Sequence, residues 1–206
     1  MVIAIDGPAG AGKSTVARAV AERLGFTYLD TGAMYRAVAL AAAGREDEAA
    51  EIAERSDIRV GDRVLLDGRD VTDAIRTPET SAGASRVAAD QRVRAALVRK
   101  QREIVRDGDW VAEGRDIGSV VAPDAAVKVF LTATPEERAR RRAAQTGGDP
   151  ERIMTEQAER DARDASADRT VLEPAADAVP VDTTGLTLDE VVDQIETLAM
   201  EAQELR

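Results

Sequence analysis

The chain has 206 residues, 44% of them hydrophobic but with only one Trp, two Tyr and two Phe, and its formal net charge is −11. That length suits one globular domain with small insertions and an aliphatic core, and the acidity argues against a nucleic-acid polymer as partner, because polymer binding rests on a basic surface. Without cysteine or histidine there is no disulfide framework, thiolate site, imidazole base or His-bound metal, so any chemistry must use Lys, Arg, carboxylates, hydroxyls and backbone.

Val2 to Ile5 predicts a buried strand, followed by a glycine-rich loop and an Ala-rich helix over about 14–24. Tyr28-Leu29 reads as a second strand and 33–42 as a helix stopped by Gly44. A charged stretch then leads into Ile58-Arg59-Val60, Gly61-Asp62 and Arg63 to Leu66, the pattern of a hairpin with a two-residue turn. Helices follow over 78–89 and 91–106, then a strand at Trp110-Val111-Ala112 that ends in the loop Glu113-Gly114-Arg115-Asp116. Val127 to Leu131 is a further strand, and Thr134-Pro135-Glu136-Glu137 marks a helix start. That helix breaks at Thr146 to Pro150, another runs to about Ala165, Ala178 to Val181 reads as an edge strand because of Pro180, and a helix over 187–204 closes the chain. Strands alternating with helices imply a mainly parallel, five-stranded sheet covered on both faces, with ligands at the carboxyl ends of its strands.

Gly7-Pro8-Ala9-Gly10-Ala11-Gly12-Lys13-Ser14 fits G-x-x-x-x-G-K-[ST] and sits between a predicted strand and a predicted helix, the context that the motif requires. Glycines let backbone N–H groups converge on phosphate, Lys13 reaches the β- and γ-phosphates, and the Ser14 hydroxyl can hold Mg²⁺. With Thr15, the loop implies binding of ATP. The chain contains no Asn, so the N-K-x-D motif of guanine-reading switches is absent, and the arginines near strand ends suit a second phosphorylated ligand. These features point to a kinase of a small phosphate ester.

The chain resembles the bacterial cytidylate kinases over nearly its whole length. The matching blocks are Asp6 to Thr15; Leu29 to Arg36; Ile75-Arg76-Thr77; Ser85 with Val87 and Arg92-Val93-Arg94; Glu113 to Gly118; Val127 to Leu131; Arg160-Asp161 with Asp164; and Val181-Asp182-Thr183. The resemblance implies an α/β P-loop NTPase core over 1–44 and 78–206, a nucleoside-monophosphate insertion over 45–77, and a short lid over about 141–150. It also implies transfer of the γ-phosphate of ATP, with Mg²⁺, to CMP or dCMP. Thr31 and Arg36 fall where the family binds the acceptor phosphate. Ser85, Arg94 and Asp116 fall where it reads cytosine, whose N4 amino group donates while N3 and O2 accept. Arg115 beside Asp116, directly after a strand, is the kind of pair that could clamp a phosphate and a base from one loop, its alternative being a structural ion pair; the resemblance assigns Arg160 and Asp164 to the sugar.

One departure stands out. The family's phosphate-binding Arg three residues after the Asp164 position is Ala167 here, and the nearest downstream arginine is Arg169. Arg138, Arg141 and Arg142 are expected to close over the transferring group with the lid, their bland alternative being an exposed cationic helix face. Arg160 and Asp164 have the spacing of a surface salt bridge, and Ser85 and Arg94 are equally compatible with plain helix surface. Two rivals stay open: another small P-loop kinase with a different acceptor, and a nucleotide-binding module without turnover. The N-terminus lacks a basic region followed by an apolar one, and no run approaches the roughly 20 apolar residues of a membrane span. A cytoplasmic monomer that touches neither membrane nor nucleic acid is expected.

Overall fold

The computed structural model describes residues 1–166 and 173–204. The chain divides into two compact units, one of Met1–Tyr28 with Gly108–Arg206 and the other of Leu29–Asp107. A five-stranded sheet is ordered β2 (Thr27–Asp30), β6 (Trp110–Glu113), β1 (Val2–Asp6), β7 (Val127–Thr132) and β8 (Val179–Asp182).

The central strand β1 runs parallel to both β6 and β7, with Ile3 opposite Val111 and Val127 and Ile5 opposite Glu113 and Val129. A strand covered on both faces must be apolar throughout rather than alternating, and Ile3, Ala4 and Ile5 are wholly buried. Their core includes Val16, Ala17 and Val20 of α1 (Lys13–Leu24) and Val191, Val192 and Ile195 of α8 (Leu188–Glu204). Each large aliphatic side chain there contributes about 1.5–3 kcal/mol through burial. At the sheet edge, Pro180 lies opposite Phe130 of β7 in a parallel pair, the position that tolerates a missing N–H.

Helix α1 ends at Gly25, φ 69°, where the Phe26 N–H donates to Ala21 O at 2.9 Å, a six-residue closing loop that needs a left-handed residue. Helix α6 (Pro135–Thr146) begins as its sequence predicts: Thr134 accepts from the Glu137 N–H and Pro135 fills the first turn. It is followed by α7 (Pro150–Ser166).

The second unit holds α2 (Thr31–Ala41), α3 (Ala49–Arg55), a three-stranded antiparallel sheet, α4 (Pro78–Val87) and α5 (Gln91–Val105). The small sheet departs from expectation. Strands β3 (Ile58–Val60) and β4 (Val64–Leu66) pair Val60 with Val64, so Arg63 belongs to a three-residue connection instead of the strand. The tight two-residue turn is the next one, Asp67-Gly68, with φ 50° and 78°, which joins β4 to β5 (Arg69–Asp70). Asp-Gly suits a turn with two positive φ values. Helix α2 also differs, starting at Thr31 rather than near residue 33 because Asp30 caps it, and stopping before Gly44.

Candidate active site

The phosphate loop occupies the connection from β1 to α1. Gly7 has φ 148°, and a Cβ there would stand 2.1 Å from the Leu131 carbonyl oxygen of β7. Gly12, φ 92°, precedes the first residue of α1. Lys13 therefore opens the helix, with Ser14 and Thr15 exposed on its first turn.

Four cations face this loop from within the same unit. Lys13 Nζ donates to Pro8 O at 2.8 Å, Arg115 Nη1 to Gly7 O at 2.7 Å, Arg138 Nη1 to Ala9 O at 2.9 Å and Arg141 Nη1 to Ala11 O at 3.5 Å. Burial, and the nearby Arg115 and Arg160, push the Lys13 ammonium down to about 7 against the opposing pull of Glu113 and Asp6. A polyphosphate placed among these cations relieves that repulsion.

The arginines of α6 do not share one environment. Arg138 is buried and paired with Asp161 of α7 at 2.6 Å. Arg141 is held by Glu137 at 2.8 Å and by Thr183, through Nη1 to the hydroxyl and Nη2 to the carbonyl. Arg142 is exposed. Gln157 of α7 reaches the loop itself, its Nε2 lying 2.6 Å from where a Gly10 Cβ would be. Arg138 Nε, Gln157 Oε1 and Asp161 Oδ1 are buried without a hydrogen-bond partner among the described residues.

At the end of β6, Glu113 is buried and accepts from the Tyr28 hydroxyl at 2.6 Å. Asp116 is buried too and leads into a wide turn, Ile117–Val121, closed by bonds from Val121 N–H to Asp116 O and from Ala122 N–H to Ile117 O. This π-type turn was not legible in the sequence. The Asp6 carboxylate holds it, accepting from the Ile117 and Gly118 N–H groups at 2.8 Å each. Burial and the Asp116 charge raise Asp6 to about 6, while the two backbone N–H groups and Lys13 oppose the rise.

Thr31, Arg36, Ser85 and Arg94 belong to the other unit. Asp30 caps α2 through the Ala33 N–H at 2.8 Å and also binds Arg36 Nη2 at 2.7 Å. Gly32 makes room, since its Cβ would stand 3.0 Å from Arg36 Nη1. Thr31 is buried, whereas Ser85 on α4 and Arg94 on α5 are half-buried. Gly83 of α4 lies close to α2, a Cβ there coming 3.2 Å from that of Ala39. Arg160 is half-buried on α7, Asp164 lies in the last turns of that helix, and Arg169 with Ala167 falls outside the described residues.

The residues whose roles sequence reasoning missed are Asp6, Asp30, Glu113, Gln157, Asp161 and Thr183. Asp6, Asp30 and Glu113 end strands and Thr183 directly follows one, a signal in hindsight; Gln157 carries none.

The cytidylate kinase family model matches residues 3–201. The chain belongs to the cytidylate kinase family. It is 50% identical to a cytidylate kinase of Desulfitobacterium hafniense (strain Y51), over 95% of this chain and 91% of that one. It is 49% identical to one of Carboxydothermus hydrogenoformans (strain ATCC BAA-161 / DSM 6008 / Z-2901), over 93% and 94%. Among solved structures, a gluconokinase from Sinorhizobium meliloti 1021 superposes with TM-score 0.54 at 20% identity, covering 99% of this chain and 94% of that one. This last likeness shows a shared fold. Among the described residues no helix is long and apolar enough to cross a membrane.

Proposed function

We infer that the protein transfers the γ-phosphate of ATP to CMP or dCMP, giving ADP and CDP or dCDP. The observation that carries this reading is the family match over residues 3–201, joined to a phosphate loop with four cations bonded to its carbonyls.

The loop 7–15 receives the ATP phosphates through its backbone N–H groups and Lys13. Mg²⁺ fits the donor set: Ser14 offers an exposed hydroxyl on the first turn of α1, and among the described residues no cluster of three carboxylates is built to cage an ion. Ser14, together with the nucleotide phosphates, would hold the ion, which would supply charge neutralisation there. Thr31 and Arg36 take the acceptor phosphate; Ser85, Arg94 and Asp116 read cytosine; Arg160 and Asp164 hold the sugar. Arg169, two residues beyond the family position that Ala167 occupies, is the candidate for that phosphate contact, a shift that a loop could absorb.

The acceptor phosphate oxygen attacks the γ-phosphorus in line, and the bond to the β-phosphate oxygen breaks with its electron pair leaving on ADP. No base is needed, since the acceptor oxygen is already anionic. Lys13, Arg115, Arg138 and Arg141 stabilise the charge on the transferring group, the first from the loop and the others as preset cations beside it. Arg142 adds a further charge from the same helix. A cytoplasmic monomer using free nucleotides fits this reading.

The test is ADP production from ATP and Mg²⁺ with CMP, dCMP, UMP, AMP, GMP and dTMP, comparing the wild type with D116A. Turnover restricted to CMP and dCMP, with kcat/KM falling about a hundredfold in the variant, supports the reading. A different preferred acceptor overturns the cytidylate assignment, and no turnover with any acceptor overturns kinase activity.

A further inference from the structure

The geometry points to Asp6 as a positioning residue for phosphoryl transfer: its carboxylate ties the loop carrying Arg115 and Asp116 to the phosphate loop. This inference rests on the kinase reading above and adds a residue to which no role has been given.

Asp6 is the last residue of β1 and immediately precedes Gly7. Its side chain is buried, and each of its two oxygens accepts one backbone N–H, Oδ1 from Ile117 and Oδ2 from Gly118. Those are the first two residues of the wide turn that directly follows Arg115-Asp116. The connection is returned in the opposite direction, since Arg115 Nη1 donates to the carbonyl of Gly7, the neighbour of Asp6. Two adjacent residues of one loop are thus cross-tied to the segment 115–118 by three hydrogen bonds, so displacement of either loop is felt by the other.

The arrangement requires a carboxylate specifically. Two diverging N–H donors need two acceptor oxygens, whereas an amide presents one oxygen and one NH₂ that meets an N–H head on. A buried anion is costly, yet the turn leaves no room for a larger change. A Cβ on Gly118 would stand 3.4 Å from Asp6 Oδ2 and 3.2 Å from Cγ and Cδ of Lys128. That lysine of β7 is fixed by Asp177 at 2.8 Å and by Pro123 O. The Gly118 amide is therefore sandwiched between the Asp6 carboxylate and a clamped lysine stem. The charged groups bearing on Asp6 are Lys13 from α1 and Asp116 from the turn; the Lys128 ammonium is engaged by Asp177.

The first measurement is steady-state kinetics of D6N with ATP and CMP, alone and combined with R115A, alongside melting temperatures. The expected result is kcat lowered thirtyfold or more with KM for ATP changed less than threefold, and a much smaller loss when D6N is added to R115A. G118A, which pushes the amide away while keeping the Asp6 charge, is the second variant and gives a tenfold loss of the same kind even if D6N does not fold. Wild-type kcat in a folded D6N, or losses that add fully to those of R115A and merely follow the melting temperature, would overturn the proposal. Amide proton shifts of Ile117 and Gly118 in the nucleotide-free protein give an independent readout. In wild type they titrate with pH more strongly than in D6N, where the Lys13 titration still acts nearby, and equal titration in the two counts against the proposal. A wild type without turnover of any acceptor sinks the kinase reading instead, and the amide titration still decides whether Asp6 holds the turn.

Discussion

At the scale of single residues, glycines with positive φ are unequal. Gly7 and Gly25 both have positive φ, but a Cβ on Gly7 meets a backbone carbonyl at 2.1 Å while one on Gly25 meets nothing within 4 Å. Backbone atoms of a central strand cannot step aside. G7A is therefore expected to destabilise by about 3 kcal/mol or more and G25A by about 1 kcal/mol, the cost of the left-handed conformation alone, as read from urea unfolding. Equal effects would show that the strand yields.

Lys13 carries a second expectation. Its ammonium, held down to about 7 by burial and neighbouring arginines, is largely neutral at pH 8. Because its folded value lies below the ordinary lysine value, the folded protein binds fewer protons than the unfolded chain between pH 7 and 10. Its contribution to stability therefore rises with pH across that window and is lost as pH falls through 7. Bound polyphosphate favours the charged form, so ATP binding at pH 8 takes up close to one proton. Calorimetry in two buffers of different ionisation enthalpy measures this uptake, and equal heats in both would contradict it.

At the scale of elements, α2 owes its start and the placement of Arg36 to the same carboxylate. Asp30 satisfies the Ala33 N–H and binds Arg36. D30A removes both and is expected to cost about 1–2 kcal/mol, whereas D30N keeps a capping oxygen and should cost well under half as much. In thermal melts the difference is a few degrees for a chain of this size. The sequence reading places the helix start near residue 33 and so misses Asp30 as its cap, and that Arg36 six residues on folds back to it depends on Gly32, whose missing Cβ opens the path.

The small sheet gives the converse case. The sequence reading takes Gly61-Asp62 as the two-residue turn, whereas the tight turn is Asp67-Gly68. The ladder register decided, pairing Val60 with Val64 and Leu66 with Arg69.

At the scale of the whole molecule, net charge dominates over individual ion pairs. Pairs such as Arg59–Asp57 and Arg63–Asp70 lie at the exposed surface, where each contributes about 0–1 kcal/mol and weakens with salt. Against them stands a formal charge of −11, whose self-repulsion salt also screens. Raising NaCl from about 0.05 to 0.5 M is expected to raise Tm by about 2–5 °C; a fall would mean that the surface pairs outweigh the repulsion.

The sequence by itself determined the α/β core, because an apolar run flanked by G-x-x-x-x-G-K-S fits only a buried strand, a phosphate loop and a helix N-terminus, each defined by neighbours in the chain. It also carried the family, since blocks from Asp6 to Thr183 match together. Only the tertiary structure decided what holds those blocks in place. Asp6 meets Ile117 and Gly118 across more than a hundred residues, and Arg138 meets Asp161. Such pairings leave no periodicity or spacing to read, because they depend on where the parallel strands end and which side chains are buried there.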